Sequence, residues 1–467
     1  MPLSPEALTL APILLVVVVL WVTEALPLAV TALLGAVACV VAGVAPAKEV
    51  FRPFADPLIF LFIGSFLLAE AIRVHGLDRR LAYRVLAVPG VGERPGRIVG
   101  AVALVSVVIS AFVSNTATTA MMMTIASGIL AAVETAAAAT GRGPRPAFAT
   151  SLFLCVAFAA SIGGLATPIG TPPNLIGLAF IRDQAGVNVT FLGWCALGIP
   201  IVAVMTTVAV QVLLWLLPAG VERIEGVERH VAEERGRLGA WTVGQRSAAV
   251  AFAVTVALWV IPGIVLVALG GSHPVCVWFS RRLPEGVAAL VGAILLFVLP
   301  GDVTASGQRR RALDWREARI DWDIILLYGG GMSLGELCFS TGLAGGVELA
   351  ITGWIPAGDL GGVVLVALAA VVAVVTSEFT SNTASANMVV PVVIALARAA
   401  GAEPLTAALA ATFASSLGFM MPVSTPCNAI VYGSGRVPLR SMMASGAIVD
   451  VVGVVTVVAV TLLAAAL

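Results

Sequence analysis

The chain has 467 residues, 60% of them hydrophobic and 11% charged, with a mean hydropathy of +1.05. A soluble fold needs far more polar surface, so this composition excludes a water-soluble globule and indicates a polytopic membrane protein. Basic and acidic side chains balance at 26 each. The information therefore lies in how charge is distributed, and no nucleic-acid partner is expected.

No signal-peptide pattern opens the chain, because the first apolar run passes directly into the second without a small-residue cleavage site. Apolar runs of bilayer-crossing length cover roughly 7–22, 25–44, 57–74, 148–180, 190–217, 247–270, 285–300, 322–340, 405–433 and 442–466. Two further runs, about 96–133 and about 360–398, carry near-identical octets near their middles. These are Ser110-Ala111-Phe112-Val113-Ser114-Asn115-Thr116-Ala117 and Ser377-Glu378-Phe379-Thr380-Ser381-Asn382-Thr383-Ala384. Each run could be two crossings or one re-entrant hairpin. Arms of about 17–18 residues, before a turn is subtracted, are marginal for two spans, which favours hairpins. Ser-Asn-Thr suits a hairpin tip whose second arm it caps.

Each octet has a later companion. Gly170-Thr171-Pro172-Pro173-Asn174 interrupts the run 148–180, and Ser424-Thr425-Pro426-Cys427-Asn428 interrupts 405–433. Proline removes a backbone donor and pushes the residue before it out of the helical region, so both runs are predicted to be broken helices. A weaker repeat pairs Leu68-Ala69-Glu70 with Leu334-Gly335-Glu336. The predicted fold is an all-α polytopic membrane protein with about 10 transmembrane helices plus two hairpins. It divides into repeats 1–217 and 247–467, joined by a hydrophilic cytoplasmic linker at 218–246. With the N-terminus outside, Lys and Arg distribute 20 inside against 6 outside, a positive-inside bias. The hairpins then enter from opposite sides, which makes the repeats inverted in the membrane.

The breaks suggest a chemistry. Carbonyls freed before a break, with hydroxyls and Asn oxygens, are hard ligands suited to a cation such as sodium. Amides freed after it favour an anion. No Arg or Lys lies in either octet or either break. A divalent anion there would have to be accompanied by cations, since two unpaired negative charges in a low-dielectric site are costly. Glu70 is read as either functional or one half of an ion pair with Arg73. Glu24 is read as a residue of a tight helix connection. Glu378 is given no direct ligand role, because the other octet has Ala111 in its place. The six Cys are read as free thiols and the three His as non-ligands. No nucleophile–base set or paired acids mark an enzyme.

These motifs, together with Trp21-Val22-Thr23-Glu24-Ala25-Leu26-Pro27 and the stretch Met421 to Gly433, resemble the divalent anion–sodium symporter family over essentially the whole chain. The resemblance implies a plasma-membrane carrier importing C4-dicarboxylates such as succinate with sodium. A sodium-independent dicarboxylate exchanger and a sodium–sulfate symporter are the alternatives. It implies no cofactor beyond sodium as coupling ion, a homodimer in the lipid bilayer, and an elevator movement of hairpins and broken helices. One sodium site would use Ser110, Ser114, Asn115 and the backbone at Gly170. The other would use Ser377, Thr380, Asn382 and the backbone at Ser424. Substrate would lie between Ser114-Asn115-Thr116 and Ser381-Asn382-Thr383, with Thr171-Pro172 and Thr425-Pro426 closing the site. Two departures from the resemblance are read: the sequence opens at what would be the family's second helix, so that either the first crossing is absent or the start is mis-assigned, and Cys427 replaces the second proline of the later motif.

Overall fold

The computed structural model describes residues 4–141, 143–303, 307–343, 345 and 359–466. Arg142, counted above for orientation, lies outside them.

The two halves follow a similar succession of helices, although among the described residues the second has no counterpart of the first half's fourth helix. In the first half these are α1 (Pro5–Thr23), α2 (Leu28–Val41), α3 (Pro57–Val74), the amphipathic α4 (Leu77–Leu86), α5 (Pro95–Ser110), α6 (Asn115–Thr140), α7 (Ala147–Gly163), α8 (Pro172–Phe180) and α9 (Phe191–Leu216). A helix in the linker, α10 (Val227–Arg237), precedes the second half. That half has α11 (Val243–Leu269), α12 (Glu285–Val298), α13 (Trp322–Ser340), α14 (Asp359–Phe379), α15 (Asn382–Ala399), α16 (Pro404–Ala414), α17 (Pro426–Gly433) and α18 (Leu439–Ala466). α5–α6 and α14–α15 are the two helical hairpins. α7–α8 and α16–α17 are the two broken helices, each interrupted where the prolines stand.

Among the described residues, seven helices are long and apolar enough to cross a bilayer: α1, α3, α6, α9, α11, α18 and residues 362–379 of α14. α2 and α12, expected as crossings of 20 and 16 residues, are helical for 14 each. Glu24 ends α1 in the left-handed conformation, φ 48°, which permits the tight turn into α2. One element departs from the all-helical expectation. Pro300–Val303 (β1) pairs antiparallel with Arg309–Arg311 (β2), matching Pro300 to Arg311 and Val303 to Arg309.

Helix packing exposes the duplication. In each half the first hairpin arm lies on the first half of the broken helix, α5 on α7 and α14 on α16. The second half of each broken helix then crosses over to the other copy's hairpin, α8 on α15 and α17 on α6. The last helices, α9 and α18, pack on each other. These elements form one interwoven core, in which every residue of α7 is buried apart from Ala147. The remaining helices exchange in the same manner: α2 packs on α13, and α12 on α3. Their outer faces are apolar and exposed, with Leu15, Val16 and Val19 on α1 and Ile261, Ile264 and Val267 on α11, as a lipid-facing surface requires.

Close helix approach rests on glycine. Gly177 of α8 lies so near Thr412 of α16 that an added Cβ would overlap that side chain. α13 meets the core through Gly331, against Asn387, and Gly335, against Phe180 and Gln184. The linker is more ordered than a solvated connection. Glu234 of α10 accepts from Arg79 and Arg237, each at 2.5 Å, and His230 lies over Gly128 of α6. Gly177→Val should cost about 1–3 kcal/mol by overpacking and lower the Tm of the purified protein. Gly100→Ala, with no atom within 4 Å of the added carbon, should be neutral or slightly stabilising in the same thermal melt.

Candidate functional site

The two hairpin turns line one cavity of about 610 Å³. Its wall includes Ser114, Asn115 and Thr116 from the first tip and Ser381, Asn382 and Thr383 from the second. Gly170, Thr171 and Pro172 line it from one break, and Ser424, Thr425 and Pro426 from the other. Four helices therefore begin at this cavity: α6, α15, α8 and α17. Their first amides lack intrahelical acceptors and carry the positive end of the helix dipole. Ser114 caps α6 through the Ala117 amide at 3.3 Å, and Ser381 caps α15 through Ala384 at 3.1 Å. Thr425 caps α17 through Asn428 at 3.1 Å, whereas Thr171 makes no such side-chain bond.

Four other helices, α5, α7, α14 and α16, end beside the same turns, so unpaired carbonyls gather behind the amides. Ser110 and Ser377 are buried one layer behind the wall. Each donates to the Oδ1 of its copy's Asn, Ser110 to Asn115 and Ser377 to Asn382, at 2.7 Å in both cases. Gly164 abuts the Asn115 amide, and Gly170 abuts the Gly164 carbonyl. In the second copy Gly418 lies beside Ser377, Ser424 and Asn382. Thr380 stays off the wall. Its hydroxyl is turned back to the Thr376 carbonyl at 2.8 Å.

Two asparagines that the sequence reading quoted but gave no role hold the breaks in shape. Asn174 Nδ2 donates to the carbonyls of Gly164 and Thr167, both at 2.8 Å. Asn428 Nδ2 donates to Gly418 at 3.0 Å and Met421 at 2.9 Å. Each asparagine thus ties the carbonyls ten and seven residues before it, and each is fully buried. Their recurrence at the same place in both motifs was the available signal. The hairpin tips are fastened to the breaks as well. Thr167 Oγ1 donates to the Ala111 carbonyl, and Ser424 Oγ donates to the Glu378 carbonyl at 3.1 Å.

Around the grips the cavity is apolar, with Phe62, Phe66, Phe112 and Leu327, and among the described residues no Lys, Arg or His lines it. At its mouth stand Asp321 and Asp323, beside Pro27 and Leu28 of the α1–α2 turn. Desolvation first, and the like charge of Asp323 second, raise the Asp321 carboxyl above its ordinary range. Away from the mouth, core and flanking helices are joined by ions. Arg182, just beyond α8, contacts Asp56 at 2.6 Å and Asp183 at 2.6 Å, and Tyr328 of α13 donates to Asp56 at 3.1 Å. Glu70 pairs with Arg73 at 2.5 Å, which gives it the structural alternative. All six Cys are free thiols. Cys427 follows Pro426 at the start of α17 without removing the break.

A polar cavity built from helix ends inside an apolar bundle defines a membrane transport protein, and the comparisons with known proteins agree. The chain belongs to the divalent anion–sodium symporter family. The family described as the sodium:sulfate symporter transmembrane region matches residues 1–465. Its curated relatives are named as transporters, not enzymes. Among curated relatives, the sodium-dependent dicarboxylate transporter SdcS of Staphylococcus saprophyticus is 29% identical, over 98% of this chain and 86% of its own length. The sodium-dependent high-affinity dicarboxylate transporter 3 of Caenorhabditis elegans is 32% identical, over 93% and 79% respectively. The solved YdaH transporter of Alcanivorax borkumensis shares the fold, with a TM-score of 0.54 at 16% identity, covering 88% of this chain and 85% of that one.

Asn174→Ala and Asn428→Ala each strip two buried carbonyls of their donor. Each should cost about 2–4 kcal/mol, read as a fall in Tm, and the two losses should agree within about 1 kcal/mol because the two environments match.

Proposed function

We propose that this protein imports C4-dicarboxylates such as succinate together with sodium across the plasma membrane. The carrying observation is a cavity that gathers four helix N-termini and ten hydroxyl- or amide-bearing side chains from two repeats, yet, among the described residues, no cationic side chain. Helix ends and hydroxyls can orient a carboxylate at each tip. They do not neutralise a dianion, whose charge in a low-dielectric site needs a counter-charge. The carbonyls behind each tip supply the place for one. In this reading the first sodium is held around Ser110, Ser114, Asn115 and Gly170. The second is held around Ser377, Asn382 and the backbone at Ser424, with Thr380 next to it. Substrate bridges Ser114-Asn115-Thr116 and Ser381-Asn382-Thr383, and Thr171-Pro172 and Thr425-Pro426 close over it.

The repeats 1–217 and 247–467 would be inverted in the membrane, with re-entrant hairpins, and two copies of the chain would form a homodimer. The interwoven core would slide as a body against α1–α3 and α11–α13. By the positive-inside orientation the mouth with Asp321 and Asp323 faces the cytoplasm, so this geometry is the inward-open state. The contact of Arg182 with Asp56 and Tyr328 then fastens its outer side. Dicarboxylate is favoured over sulfate because two separate Ser-Asn-Thr grips line one cavity and because the curated relatives carry dicarboxylates by name.

The test is uptake of labelled succinate into proteoliposomes under an inward sodium gradient, an inward potassium gradient, or with internal unlabelled succinate. Uptake is expected only with sodium. Asn115→Ala and Asn382→Ala should each lower uptake at limiting sodium and succinate by about tenfold or more. Uptake that needs internal succinate and ignores sodium would identify an exchanger. Sodium-dependent uptake of labelled sulfate that unlabelled succinate does not inhibit, with no uptake of succinate itself, would transfer the site to sulfate.

A further inference from the structure

The two copies differ where the second tip meets its break. Glu378 stands at the octet position of Ala111. Asp450 stands at the position of Val202, an equivalence fixed by packing. Gly198 of α9 abuts the Leu165 carbonyl, and Gly446 of α18 abuts the Phe419 carbonyl. Leu165 and Phe419 each lie nine residues before the asparagine of their motif, and Val202 and Asp450 each follow their glycine by four. Two buried apolar residues of one copy are thus replaced together by two buried acids in the other.

The Glu378 carboxylate is fully engaged. It accepts from the amides of Met420 at 2.8 Å and Met421 at 3.1 Å, and from the Ser424 hydroxyl at 2.7 Å. Asp450 faces it from α18 and accepts from the Phe419 amide at 3.4 Å, while its Oδ1 has no partner. No salt bridge reaches either acid among the described residues. The loop they hold contains Gly418, where an added Cβ would stand 3.1 Å from Ser377 Oγ, 3.2 Å from Ser424 Cβ and 3.6 Å from Asn382 Oδ1. Glu378 is therefore one hydrogen bond behind the groups proposed above for the second sodium. Behind the first sodium the corresponding fastening, Thr167 to the Ala111 carbonyl, carries no charge.

We infer that Glu378, backed by Asp450, makes the two sodium sites unequal, so that the second site fills at lower sodium concentration than the first. The inference rests on the sodium-coupled reading. Glu378 is a positioning residue that touches neither substrate nor ion. It sets the register of residues 418–424 and adds a negative charge behind one site only. A unit charge next to a buried site changes cation affinity by about tenfold or more.

The experiment measures sodium activation of succinate uptake in proteoliposomes for the wild type, Glu378→Gln and Asp450→Asn, with the sodium-induced rise in Tm as an independent reading of binding. Glu378→Gln should raise the half-saturating sodium concentration by about tenfold. At saturating sodium its maximal rate and half-saturation for succinate should stay within about threefold of wild type, a split that simple misfolding would not produce. Asp450→Asn keeps every donor to Glu378 and should shift the sodium curve the same way by several-fold, including when Glu378→Gln does not fold. Sodium curves unchanged in the variant that folds, or a fall in maximal rate alone, would overturn the inference. So would a shifted pH profile with an unmoved sodium curve, which would mean that the acids hold a proton. A wild type indifferent to sodium would instead overturn the sodium-coupled reading itself, before any variant is compared.

Discussion

The constraint on which this structure depends is that an anion must be held inside a bilayer without cationic side chains among the described residues of the cavity wall. Backbone is the remaining source of fixed polarity, and it becomes available only where helices stop. The chain therefore stops eight helices around one point, four at their amide ends and four at their carbonyl ends. Each stop would be untenable facing lipid, since every freed group costs free energy without a partner. They are tolerable here because the broken helices are wrapped by the hairpins, and because Asn174 and Asn428 satisfy the carbonyls nearest the breaks.

Duplication solves half of this problem and leaves the other half open. One copy supplies one tip and one break, which would leave a half-site facing nothing. The crossing of α8 onto α15 and of α17 onto α6 makes each copy complete the packing of the other. Neither repeat can bury its broken helix alone, which ties folding of the core to assembly of the site. Within that symmetric frame, the acids at Glu378 and Asp450 show the two copies departing from each other at one buried spot.

Much of this was legible in the sequence. The apolar runs located the long helices, the prolines located both breaks, and the repeated Ser-Asn-Thr octets located the tips, because each signal is local. The lengths of α2 and α12 were not legible, since an apolar run continues past the helix into turns that are also apolar. α10 was hidden because mixed charges read equally as a solvated strand of chain or as a helix held by Arg79. Asn174 and Asn428 were in view but without a role, because their partners are carbonyls, which composition does not reveal. Thr380 sits beside the second tip and gives its hydroxyl hydrogen to the Thr376 carbonyl, a bond within its own helix that its residue type alone does not announce. Asp450 was overlooked although an acid in the middle of a 28-residue apolar helix is itself a signal.

The glycine face of α13 has one more consequence. Gly331 and Gly335 give Asn387 and Phe180 nothing to interlock with. A surface of bare backbone is smooth on the scale of a methyl group, so contact energy varies little as a neighbouring helix is displaced along it. Ridges of larger side chains would instead create a series of notches, each a resting position with its own barrier. If the core travels as proposed, α13 is a low-friction track. The resting positions must then be set elsewhere, by the few polar contacts at the ends of travel, such as the ions around Arg182.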